Sequence, residues 1–182
     1  FTFKAGKENK SQINHTYYAE IEEISDKEIL AFSLLGDILQ MKANEKLREE
    51  MGSTYSPSVS AFFSRPPVGM LNLSLSVSSL PENVEKLIAA YDGLVKNIMN
   101  GAVSDEDMVK ARAQRIKVVE TQSKTNMYWS NVLEQQQNYG FDPKNISEYT
   151  KRVEALTKED IVSVAKKYLS NANILKGVMN PE

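Results

Sequence analysis

A chain of 182 residues with 41% apolar and 25% charged content is long enough to bury one sizeable core and has the balance of an ordinary globular protein. Its formal net charge of −2 supplies no electrostatic pull toward nucleic acid or an anionic membrane surface, so neither is expected as a partner. The absence of cysteine excludes disulfides and thiolate metal sites, and no apolar run approaches the roughly 20 residues that cross a bilayer, so no membrane span is expected.

The elements follow in chain order. Residues 1–4 read as a short strand and 7–10 as a polar loop. Across 12–24, Ile13, His15, Tyr17, Ala19 and Ile21 fall on alternate positions, the mark of a half-buried strand. Ser25 with Glu28 three residues later is a capping-box pattern. The helix it opens carries Leu30, Leu34, Leu35, Ile38 and Leu39 as one stripe suited to a sheet. That helix is expected to end near Met51, where Gly52 supplies a permissive backbone and Pro57 follows too closely for it to continue. Residues 55–63 read as a strand and 65–69, with two prolines, as a turn. Residues 70–80 give the cleanest strand, because Leu71, Leu73, Leu75 and Val77 alternate with Asn72, Ser74, Ser76 and Ser78. Leu73 and Leu75 are expected on the sheet face that receives Leu34 and Ile38.

Pro81 suits a first helical turn, and Val84, Leu87, Ile88, Tyr91, Leu94, Val95 and Ile98 then recur at threes and fours up to Gly101. Ser104-Asp105-Glu106-Asp107 opens another helix, with acids at its positive end, running to about Glu120. Residues 123–126 are a weak point before helix resumes over 127–139, and Gly140 to Pro143 stops it. A short helical stretch spans 146–156, Thr157 caps a last helix, and 173–179 returns as a strand. Strands grouped between amphipathic helices predict one α+β domain, residues 1–182, with an antiparallel or mixed β-sheet covered on one face by helices. The chain opens on Phe1 and is read as a piece cut from a longer polypeptide. Its compartment stays open, the missing cysteine being a faint hint of a periplasmic or other extracytoplasmic home.

The stretch Leu47-Arg48-Glu49-Glu50-Met51-Gly52-Ser53-Thr54-Tyr55-Ser56 puts an arginine in the last turn of a helix and a tyrosine just beyond it. Together they offer a charged fork of donors and a hydroxyl on a rigid ring, suited to a peptide carbonyl or carboxylate. A plainer account also exists: the helix dipole favours arginine at a C-terminus, and tyrosine is at home opening a strand.

This stretch resembles the Leu-Arg-Glu-x-x-Gly-x-x-Tyr-Ser signature of the pitrilysin/insulinase family of zinc metallopeptidases, the inverzincins. The order of surrounding segments is similar along nearly the whole chain. The signature lies in that family's C-terminal half, which holds no zinc. The resemblance therefore implies a metallohydrolase-like half, inactive alone, that closes a chamber over a zinc-bearing N-terminal half or partner subunit. Arg48 and Tyr55 are then the substrate-binding and catalytic residues, Tyr55 meeting the oxyanion and Arg48 the substrate backbone. Peptide would be the substrate, and zinc is expected in the partner half, with no cofactor in this segment.

The remaining residues suggest little other chemistry. One histidine and no cysteine make a poor zinc ligand set, and the family's H-x-x-E-H is absent. His15 is expected as a partly exposed sheet residue. Glu22-Glu23 and Glu49-Glu50 read as solvated charge, since neighbours in sequence point apart. No G-x-S-x-G and no phosphate loop appear. Met127-Tyr128-Trp129 is expected to pack a helix onto a neighbour. The alternative to a peptidase half is a non-catalytic scaffold, or a peptide-binding subunit, of the same fold.

Overall fold

The computed structural model describes residues 1–51, 57–64, 69–140, 142 and 144–182, without the side chains of 48–51. In order, the elements are β1 (Thr2–Lys4), β2 (Ser11–Glu20), α1 (Asp26–Met51), β3 (Ser58–Ser64), β4 (Met70–Ser79), α2 (Val84–Met99), α3 (Asp105–Gln122), α4 (Asn126–Tyr139), α5 (Lys144–Ser147), α6 (Tyr149–Glu154), α7 (Lys158–Leu169) and β5 (Asn173–Asn180). The expected stop at Gly52, the start of the strand at Tyr55 and most of the proline turn lie outside the described residues. Pro81 opens a short 3₁₀ turn, Pro81–Asn83, immediately before α2.

The strands form one mixed sheet in the order β1-β5-β2-β4-β3. The chain's last strand thus lies between its first two. β1 runs parallel to β5, with Thr2 opposite Val178, and every other pairing is antiparallel. The register places Ile13, His15 and Tyr17 of β2 beside Val77, Leu75 and Leu73 of β4. That face is the buried one and carries the helices. The opposite face presents Asn14, Thr16 and Tyr18 against Ser76, Ser74 and Asn72. A period of two in side-chain direction makes this division sharp.

Leu34, Leu35, Ile38, Leu39, Leu71, Leu73 and Leu75 are fully buried in one apolar cluster, so the expected match of the α1 stripe to the β4 face holds. α1 crosses very close to β3: a Cβ on Gly36 would stand 2.6 Å from the Cβ of Ala61. That explains a glycine in mid-helix, where it otherwise costs about 1 kcal/mol relative to alanine. The start of α1 is fixed by the capping box read from sequence, Ser25 N–H donating to Glu28 Oε2 at 2.9 Å and Glu28 N–H to Ser25 Oγ at 3.2 Å. Glu28 also accepts from Lys167 Nζ at 2.5 Å and Tyr168 Oη at 3.1 Å, which joins the cap to α7. Burial alone would raise the Glu28 carboxyl, but these hydrogen bonds outweigh it and hold it at about 2.

α3 docks on α1 through Arg115, whose Nε and Nη2 each donate to Asp37 at 2.6 Å while Nη2 also reaches the Ser33 carbonyl at 3.0 Å. Lys42 adds a second tie, 2.7 Å from Asp107. Both carboxylates are mostly covered, where such pairs fix orientation more than they add stability.

Candidate functional site

The motif lies where α1 gives way to β3. α1 runs to Met51, so Arg48 stands in its last turn, as the sequence predicts. The Arg48 side chain and all of Tyr55 lie outside the described residues. The flanks are well defined. Leu47, one residue before Arg48, is fully buried. Pro57, two residues after Tyr55, is buried as well. Gln40, two turns before Arg48 on α1, donates from Nε2 to the Pro57 carbonyl at 2.9 Å and accepts from Val59 N–H through Oε1 at 2.7 Å. One side-chain amide therefore binds the first residues of β3 along the edge that faces away from β4, much as a neighbouring strand would. Sequence reasoning missed Gln40, because a polar residue in mid-helix reads as solvated.

A second cluster gathers where α2 crosses β2 and β5. Asp92 of α2 accepts from His15 Nε2 at 2.6 Å, from the Tyr17 hydroxyl, and from Lys176 Nζ at 3.3 Å. Burial would raise the Asp92 carboxyl, but the hydrogen bonds from Tyr17 and His15 outweigh it and hold it below its ordinary range. The carboxylate can only accept, so Nε2 carries the imidazole proton. His15 is 0% exposed, which corrects the expectation of a partly exposed residue. It shares the face of Ile13 and Tyr17, and Asp92 meets the polar need that burial creates. Its Nδ1 and the hydroxyl of fully buried Tyr91 have no hydrogen-bond partner among the described residues. The ring of His15 stands edge-on to both Tyr17 and Tyr91, with centroids 5.2 and 5.6 Å away. Burial raises both tyrosines far above their ordinary range.

The aromatic run on α4 is also corrected. Met127 and Trp129 are exposed, and α4 buries no residue completely. Trp129 instead donates from Nε1 to the Ser123 carbonyl at 2.8 Å, closing the end of α3, and stacks edge-to-face on Tyr128. Tyr128 and Tyr149 line a mostly apolar groove with Ile29, Leu30, Phe63 and Val132. Glu22 and Glu23 are exposed, as expected. No group of three or more His, Cys, Asp or Glu that could hold a metal ion occurs among the described residues. No described helix is long and apolar enough to cross a membrane.

Three comparisons with known proteins bear on this architecture. A family model described as "Peptidase M16 inactive domain" matches residues 3–115, a span that includes the motif. The chain is 27% identical over 136 residues to the chloroplastic stromal processing peptidase of Oryza sativa subsp. indica, covering 72% of this chain and 11% of that protein. The Arabidopsis thaliana protein of the same description is 26% identical over 138 residues, again with 72% and 11% covered. The fold superposes on the periplasmic protease PqqL from Escherichia coli with a TM-score of 0.81 at 19% identity, over 100% of this chain and 20% of that one. It superposes on a peptidase M16 inactive domain from Pseudomonas fluorescens with a TM-score of 0.78 at 13% identity, over 100% and 43%. The chain thus spans about a tenth of the length of the curated relatives it matches. With more than half of its residues matched by the inactive-domain model and the helix-covered mixed sheet in common, the chain belongs to the M16 peptidases, the pitrilysin/insulinase family of zinc metallopeptidases.

Proposed function

We propose that this chain is the non-zinc half, or part of it, of a zinc metalloendopeptidase. It closes the chamber over a zinc-bearing N-terminal half and contributes Arg48 and Tyr55 to peptide-bond hydrolysis. The observation that carries the reading is the motif Leu47 to Ser56, inside the span matched by the inactive-domain family model. The pinning of both flanks, by buried Leu47 before it and by the Gln40 amide on Pro57 and Val59 after it, supports the same reading. A site that stabilises developing charge needs donors fixed in advance, and a motif between two anchored elements suits that need.

In this reading the partner half supplies zinc, which polarises the scissile carbonyl and activates a water. This chain supplies the rest. Tyr55 donates its hydroxyl hydrogen to the oxygen on which negative charge develops. Arg48 uses its planar fork to hold the substrate main chain in register. Both contributions depend on closure, because neither residue belongs to a complete site on its own half.

The test is reconstitution. This chain alone should leave a quenched peptide uncut. Joined to, or mixed with, its zinc-bearing half it should restore cleavage, and a chelator should abolish it. Cleavage of the peptide at an unchanged rate by the zinc-bearing half without this chain would refute the reading.

A further inference from the structure

His15 is the single histidine of the chain, and the proposed peptidase chemistry does not use it. It is enclosed on every side. Asp92 and Tyr91 face it from α2, Tyr17 lies beside it on β2, Lys176 stands opposite it on β5, and Leu75 stands opposite it on β4. Asp92 is the hub, accepting from His15, Tyr17 and Lys176, and these contacts are the polar ties between the middle of α2 and the sheet. With the imidazole neutral the account is balanced on the Asp92 side: three donors meet one carboxylate.

A second proton changes the balance. Nδ1 has no partner among the described residues. Protonation would bury a cation whose new N–H points into fully enclosed space, with the Lys176 ammonium already sharing its counter-ion. A buried charge with an unpaired donor costs several times what a satisfied neutral pair does. That cost is relieved when water reaches the ring, which a displacement of α2 from the sheet would allow.

We propose that His15, Asp92 and Lys176 form an acid-sensitive latch that fastens α2 to the sheet while His15 is neutral and releases it when His15 takes up a proton. Burial lowers the affinity of the imidazole for that proton more than Asp92 raises it, and Lys176 lowers it further. The unfolded chain therefore binds the proton first, at about pH 6.5. Stability is fully present above that pH and is lost as pH falls toward the native pKa of His15. Asp92 and Glu28, held low in the folded state, withdraw their contributions only at more acid pH.

Because the chain has one imidazole, the experiment is unambiguous. Urea melts of the 182-residue chain between pH 7.5 and 5 should show the unfolding constant rising by up to about tenfold per pH unit below 6.5, the linkage of one proton. Amides of α2 should lose exchange protection over the same range while those of α3 keep theirs. His15→Gln keeps a donor for Asp92 but cannot titrate, so its stability should be flat there. Should that variant not fold, NMR titration of the wild-type imidazole decides, with a midpoint below 6.5 expected and an upward shift in Lys176→Met. A midpoint at or above 6.5, or equal pH dependence in wild type and His15→Gln, would overturn the proposal. Uniform loss of protection in all helices would overturn the latch on α2.

Discussion

Leu73 shows how far a single residue can be placed from sequence. Its alternation with Asn72 and Ser74 predicted an inward side chain, and it is 0% exposed, in one cluster with Leu34 and Ile38. Leu73→Ala should cost about 2–5 kcal/mol in denaturant melts, because the enclosed site can collapse only in part. A change within about 0.5 kcal/mol would show that the cavity heals or that the face is wrongly assigned. The same alternation places His15 on the inner face, yet its polarity argued for exposure. The residue that settles the matter is Asp92, 77 positions away on α2. No local pattern carries such a partner. Gln40 is a similar case, since its binding of Pro57 and Val59 depends on where α1 crosses β3.

At the scale of elements, several boundaries among the described residues were legible from the chemistry that marks them. The Ser25–Glu28 pair and Thr157 both cap helices in the structure, Thr157 Oγ1 accepting from Asp160 N–H at 3.3 Å. Ser104 goes beyond the acids noted at its helix start: it forms a reciprocal box, accepting from Asp107 N–H at 3.0 Å and donating its own N–H to Asp107 Oδ2 at 2.8 Å. Ser104→Ala should therefore destabilise by about 0.5–2 kcal/mol in thermal or chemical melts, whereas Ser104→Asp should be nearly neutral. Equal losses in the two variants would count against a capping role. Gly140 ends α4 with a φ of +66°, a left-handed conformation that suits glycine. What failed was the reading of the aromatics on α4. Large rings usually serve burial, but on this helix Trp129 spends its N–H on the end of α3 and leaves much of its ring in solvent.

At the scale of the molecule, the class of fold was legible and the topology was not. Amphipathic helices between alternating strands require a sheet covered on one face. Nothing in the local pattern says that β5 inserts between β1 and β2, or that Phe1 lies beside Lys176, to whose carbonyl its backbone nitrogen donates at 2.8 Å. Such long-range pairing is set by the closing of the whole sheet. The motif Leu47 to Ser56 lies within the span matched by the inactive-domain family model, and the role proposed for it requires a zinc-bearing second half. That dependence directs the decisive test to one hydroxyl in the assembled peptidase. Tyr55→Phe removes the hydroxyl and keeps the ring, so folding should be unaffected. Arg48→Lys keeps the charge and loses the fork, so it should also fall short of full activity. The most direct measurement is the kcat of the assembled Tyr55→Phe peptidase on a quenched peptide. The account predicts a fall of roughly 10²–10³ with little change in KM, the signature of a donor used in the transition state; a wild-type kcat in that folded variant would contradict it.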